Sequence, residues 1–233
     1  KDINESNRID ITAGYTYQKQ KNLDLQASSE NFPTDNFLWN NLGSGAKPQA
    51  PSSYASEYTL ISYLARLNYS VLDKYLLTAS VRTDGDSKFG ANHKYGTFPS
   101  AAFAWQVGRE NFMKNVPVIS QLKLRAEWGE TGNESIGYYS SKSLITTRFD
   151  QEQGVIFGGG ALNPIAYPAG IANPDLSWEK TSGFVFGLDL GLFVNRLMVN
   201  ANIYFKKTTD LILNVPIAQH SGFSSVLMNT GSM

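Results

Sequence analysis

Few residues in this chain are suited to chemistry, and they are scattered. Residues 84–88, Asp-Gly-Asp-Ser-Lys, open like a calcium loop, with carboxylates at alternate positions. A calcium loop needs further oxygen ligands and a bidentate Glu at its twelfth position. Counted from Asp84 that position is Tyr95, so an EF-hand is excluded. The segment reads as a tight turn in which Gly85 and Gly90 supply positive φ. Gly158, Gly159 and Gly160 lack the Lys-Ser/Thr that completes a phosphate-binding loop. With Gly154, Pro164, Pro168 and Gly170 they read as a flexible loop. His93 and His220 are the only histidines, and neither has the neighbours that a metal site or a Ser-His-Asp triad requires. Asp10, Glu127 and Asp189 are a chemically sufficient set for glycoside hydrolysis. No motif brings them together, so they read as solvated charges on a polar face. Cysteine is absent, which excludes disulfides, thiolate catalysis and cysteine-held metals. No catalytic, cofactor or metal site is assigned.

Ligand contact is better sought among aromatics in the long connections. Phe37 and Trp39 lie in the first of these, and Tyr138, Tyr139, Phe149, Phe157 and Tyr167 in the third. Flat rings stack on sugars and on peptide side chains, and loops carry function. The same rings would equally serve to pack loops together or against a partner. Lys plus Arg and Asp plus Glu are 20 each, a formal charge of zero. That removes the electrostatic case for nucleic acid and for a basic membrane-surface patch.

The elements that position these residues announce themselves by period two, the mark of a strand with unlike faces. Ile9, Ile11, Ala13, Tyr15 and Tyr17 alternate with Asp10, Thr12, Gly14, Thr16 and Gln18. The same rhythm recurs over residues 61–70, 77–82, 101–107, 122–129, 184–190 and 197–206. This makes about seven strands, many near the 9–11 residues that cross a bilayer when tilted and longer than the usual 5–6. The second face carries Arg66, Arg82, Lys123, Arg125, Glu127 and Asp189, so it is expected to face water.

The connections alternate in length. Residues 72–74 and 193–196 are short turns, and 108–120 is a moderate one with a helical turn near 111–114. Residues 21–57, 85–94 and 132–177 are longer. Two of these exceed about 30 residues, uncommon inside a compact soluble domain. Short turns at one end and long loops at the other are the habit of transmembrane β-barrels. Tyr69 and Tyr75 near one end, and Tyr15, Tyr17, Tyr58, Trp128 and Trp178 near the other, are expected to form interfacial belts. The expected fold is therefore all-β, an antiparallel transmembrane β-barrel segment of about seven or eight strands with long external loops and short periplasmic turns. The opening KDINESNRID has neither a signal-peptide pattern nor an initiator Met, so the chain reads as a piece of a longer protein.

Six segments go beyond pattern: YSVLDKYLLTASVRTDGDSKFG (69–90), YGTFPSAAFAWQV (95–107), ISQLKLRAEWGETGNESIG (119–137), NPDLSWEKTSGFVFGLDLGLFVNRL (173–197), YFKKTTDLIL (204–213) and SGFSSVLMNTGSM (221–233). In this order and spacing the chain resembles the barrel region of the SusC/RagA family of TonB-dependent outer-membrane transporters. The resemblance implies a barrel of about 22 strands with a plugged lumen, of which residues 1–233 supply part of a single barrel domain. A plug domain and the remaining strands would lie outside this chain. It also implies location in the outer membrane of Bacteroidetes-type bacteria and pairing with a SusD-like surface lipoprotein that acts as a lid. The implied activity is TonB-driven import of glycans or peptides, with no enzymatic role. The family often has Arg where Thr83 stands and Ser where Asp86 stands; Asp86 adds a second carboxylate beside Asp84 and strengthens the case for a bound cation. A passive porin and a soluble carbohydrate-binding β-sandwich are the alternatives.

Overall fold

The computed structural model describes residues 2–4, 6–148, 155–156, 162–163 and 165–233. Seven long strands form a single antiparallel sheet: β1 (Asn7–Gln26), β2 (Ser52–Val71), β3 (Tyr75–Asp86), β4 (Tyr95–Trp105), β5 (Ile119–Asn133), β6 (Glu179–Leu192) and β7 (Leu197–Thr209). Each pairs with its chain neighbour, and the three-residue strand Asp2–Asn4 adds to the free side of β1. Among the described residues there is no α-helix, only short 3-10 turns. No helix is long and apolar enough to cross a membrane.

The period-two pattern becomes two faces. One apolar row crosses all seven strands without a break. Ile11 lies opposite Leu67, then follow Ala79, Ala101, Trp128, Phe184 and Phe205. The polar row beside it runs Thr12, Arg66, Ser80, Ser100, Gly129, Gly183 and Lys206. No second layer covers the apolar face: Ile11 is 75% exposed, Ile203 63% and Phe205 62%. A β-sandwich would bury that face against another sheet, so the sandwich alternative fails.

The connections also sort by end. Residues 72–74 and 193–196 turn tightly through left-handed residues, Leu72 and Asp73 in the first and Phe193, Val194 and Asn195 in the second. The moderate connection contains the 3-10 turns Val107–Arg109 and Asn111–Asn115. The first long loop is shorter than its sequence suggests, because β1 and β2 pair continuously from Asn7–Val71 up to Gln26–Ser52. At about 3.4 Å per residue such strands far exceed a bilayer core, so their upper ends stand clear of it. The extension carries charged and polar side chains on both faces, which is why alternation does not mark it.

The buried apolar core is small and lies on the polar face at the loop end. Phe89, Phe98, Leu176 and Trp178 form it, with Leu60, Ile136, Ile212 and Leu227 packed around them. Two expected belt residues therefore sit elsewhere. Trp178 is 4% exposed inside this core. Tyr58 lies opposite Gln20 on the polar face, its ring beneath the Lys88 ammonium at 4.8 Å. Tyr15, Tyr17 and Trp128 do stand on the apolar face.

Candidate functional site at the loop end of the polar face

Residues 84–90 build the floor of this region, and each has a separate task. Asp84 accepts both of its close contacts from Arg82 Nε, at 2.7 and 2.8 Å. Asp86 is fully buried, and its Oδ1 accepts from the Lys88 backbone N–H at 2.8 Å. Ser87 exchanges bonds with Thr59, donating its N–H to the Thr59 carbonyl and accepting the Thr59 N–H on Oγ. Phe89 enters the core 4.6 Å from the Trp178 ring. Gly85 and Gly90 are not at positive φ; among the described residues only Gly222 and Gly231 are glycines of that kind. Their glycine identity answers to space instead. A Cβ on Gly85 would run into the Tyr95 ring, and one on Gly90 into the Pro174 carbonyl.

The cation suggested by the two carboxylates is already supplied by the chain. Lys88 Nζ lies 3.2 Å from Asp86 Oδ2 and donates to the Glu134 carbonyl at 2.9 Å. Among the described residues no cluster of three or more His, Cys, Asp or Glu side chains is arranged to hold a metal. Burial raises the Glu134 carboxyl above its usual range; Lys88 opposes this, and a hydrogen bond and repulsion from Asp86, with repulsion from Asp84, add to it. Leu60, Leu64, Phe98 and Trp178 with Arg82, Asp84 and Glu134 border a concavity of about 530 Å³. Its lining combines apolar and charged side chains, which suits a ligand with an apolar group beside polar ones.

Among the described residues, the expected contacts do not gather in one place. Tyr138 packs 5.7 Å from Tyr58, and its hydroxyl accepts from Asn22 Nδ2 at 2.6 Å and Gln20 Nε2 at 3.3 Å. The Tyr139 hydroxyl accepts the Glu57 N–H at 3.0 Å, with left-handed backbone at Tyr139 itself. Both tyrosines thereby tie the third loop to the raised ends of β1 and β2. Trp39 is 79% exposed in the first loop, in the 3-10 turn Asp35–Asn40 that also carries Phe37. Tyr167 lies in the small strand Ile165–Pro168, opposite Thr146. Phe149, Phe157, Gly154, Gly158, Gly159, Gly160 and Pro164 lie outside the described residues.

Reasoning on loops overlooked Gln18, Gln20, Asn22, Tyr58, Lys88 and Glu134. The first three sit at alternate positions on the polar face of β1; Gln18 lies inside the stretch whose alternation is legible, Gln20 and Asn22 at and beyond its end. Lower on that face, Arg125 gathers two of the three inward carboxylates, Asp189 and Glu127, while Asp10 stands apart on β1. Arg125 donates to Asp189 at 3.1 Å through both Nε and Nη2, to Asn202 at 3.0 Å and to Glu127 at 3.4 Å. Gly187 leaves room for that guanidinium. Of the histidines, His93 Nε2 stands 3.9 Å from Asp175, and His220 lies in the exposed turn Gln219–Ser221.

A family model described as TonB dependent receptor-like, β-barrel, matches residues 2–233. The chain belongs to this family. A TonB-dependent receptor of Formosa agariphila is 36% identical over 228 residues, covering 98% of this chain and 22% of the relative. The TonB-dependent receptor SusC of Bacteroides thetaiotaomicron is 38% identical over 195 residues, covering 81% of this chain and 19% of that protein. Among solved structures, that of the RagAB peptide transporter superposes with a TM-score of 0.85 at 31% identity, over 100% of this chain and 25% of that one. The chain spans about a quarter or less of the proteins it matches. As a TonB-dependent receptor barrel segment it has an apolar outer face and a polar inner one, and the loop-end cluster lies on the inner wall.

Proposed function

We propose that this segment forms a stretch of the wall of an outer-membrane importer that takes up glycans or peptides with energy delivered through TonB. The observation that carries the reading is the uncovered apolar row across all seven strands in a chain that matches the family from residue 2 to residue 233. In this reading the short turns face the periplasm, the long loops face outside, and a SusD-like lipoprotein closes over the loops. A plug domain and further strands of the parent complete the barrel. Phe37, Trp39, Tyr138, Tyr139, Phe149, Phe157 and Tyr167 are the proposed contacts for substrate or lid, with Trp39 the most exposed aromatic among those described. The segment has no catalytic role in this reading. Family membership favours driven import over a passive porin.

Uptake by cells tests it. Cells lacking the parent gene are expected to lose uptake of one labelled oligopeptide or oligosaccharide pool. Cells lacking TonB are expected to lose the same pool. Uptake that persists without TonB identifies a passive pore. A parent recovered in the aqueous fraction without detergent overturns the barrel reading itself.

A further inference from the structure

The apolar face is not evenly filled. Ala126 lies opposite Phe103 on one side and Phe186 on the other, with Leu124 and Trp128 two residues away along its own strand. It presents one methyl group where its four neighbours are large. Phe186 in turn faces Ile203, and Leu188 faces Ala201. All of these except Trp128 border a notch of about 510 Å³ whose lower end is Trp105, the last residue of β4. Arg125 also borders it, but its guanidinium is bound to Asp189 on the opposite face.

The lower mouth is set at a definite level. Glu110 accepts from the Trp105 indole at 3.1 Å, the Tyr75 hydroxyl at 2.8 Å and Lys74 Nζ at 2.8 Å. The Tyr75 and Trp105 rings lie near-parallel, 6.4 Å apart. An amphipathic ring cluster tied to an ion pair belongs where acyl chains meet headgroups. Lys114 and Arg196 are exposed at the same end of the sheet.

We propose that this notch is a phospholipid site: an acyl chain of the leaflet at the turn end lies over Ala126 between Phe103 and Phe186, with its headgroup level with Trp105 and Tyr75. The inference rests on the membrane-barrel reading above. It is carried by the continuity of the notch with the lipid-facing band and by the absence of hydrogen-bonding partners within it. A sugar or a peptide backbone placed there would leave polar groups unpaired, whereas a hydrocarbon chain has none. A second copy of the barrel is the competing occupant.

The test uses the full-length transporter, extracted with its native lipid and measured by native mass spectrometry. Ala126→Phe fills the notch, and Ala126→Leu fills it more gently in case the larger ring disturbs assembly. Ala13→Phe places the same ring on the apolar face of β1, far from the notch. We expect the lipid-bound fraction to fall about tenfold in Ala126→Phe, to fall less in Ala126→Leu, and to stay at the wild-type level in Ala13→Phe. Equal lipid retention in all four proteins overturns the site. Loss of a dimer in the Ala126 variants, with lipid unchanged, also overturns it and assigns the notch to a second copy. Absence of all four proteins from the membrane fraction overturns the barrel reading on which the site rests.

Discussion

At the scale of single residues, Glu110 concentrates the most consequence. Hydrogen bonds from Lys74, then Tyr75, then Trp105 hold its carboxyl down at about 2, from the usual 4.5. A carboxyl whose value is lowered by folding contributes stability above its unfolded value, and that contribution is lost as pH falls through the folded one. The ring cluster at the turn end is therefore expected to stay unchanged from neutral pH to about 4.5 and to loosen only as pH approaches about 2. The signal of a fluorotryptophan at position 105 checks this. In Glu110→Gln the same signal is expected to be flat across the whole range, and a wild-type midpoint near the ordinary Glu value would refute the anchor. Gly90 carries a prediction of a different kind. With ordinary backbone but the Pro174 carbonyl in the way of a Cβ, Gly90→Ala must push its own loop away from the one that carries Pro174, an overpacking cost of about 1–3 kcal/mol. Faster proteolysis within residues 134–178, with the barrel intact, is the expected outcome. The sequence marks both glycines as special but not for what reason. Conformational freedom is a local property, whereas contact with Pro174, more than eighty positions away along the chain, is not.

At the scale of elements, β4 separates the two faces cleanly. Phe103 lies on the apolar face and Ala102 on the polar one, so an arginine at the first meets lipid and at the second meets water. Two residues in from the headgroup level of Trp105, Phe103→Arg is expected to cost roughly 1–3 kcal/mol, between the interfacial and midplane values, and to lower the amount of heat-modifiable barrel in the membrane, while Ala102→Arg, opposite Glu127 on the polar face, leaves it nearly unchanged. Equal effects would invert the assignment of faces. Strand β6 shows where alternation alone misleads. Gly187 is on the polar face and looks permissive, yet the Arg125 guanidinium and the Asn202 carboxamide occupy the space above it. Gly187→Arg would put a second cation against Arg125 and break its bonds to Asp189, so it is no neutral control. The strands were legible because period two is written in consecutive residues. The inner-face ion network was not, because Arg125, Asp189 and Asn202 meet only after three strands have paired in register. The upper ends of β1 and β2, residues 21–26 and 52–57, were missed for a related reason: outside lipid, neither face need be apolar.

At the scale of the whole molecule, the segment has two separate sources of order. The wall is held by its ladders and by whatever solvates the apolar face. The loop end is held by a core of four buried apolar residues on the inner face, into which loops from three connections converge. Trp178 joins them. Its ring packs against Phe89 and Phe98 at 4.6 and 5.5 Å, and its indole donates to the Lys94 carbonyl at 3.0 Å. Around it, Gly90 donates to the Leu176 carbonyl, Ser141 to the Phe89 carbonyl, and Asn173 Nδ2 to the Leu227 carbonyl. Removing the ring should therefore loosen residues 87–94, 134–148 and 225–229 together while leaving the wall in place. Trp178→Ala is expected to cost about 3–5 kcal/mol at the loop end, seen as a joint rise in amide exchange across those three segments with unchanged exchange in β5 and β6 below. A rise confined to the immediate neighbours of position 178 would show that the loops are ordered independently. The distinction bears on the proposed import, because a loop end that moves as one body can open or close over the inner wall in a single step, whereas independent loops can only fray.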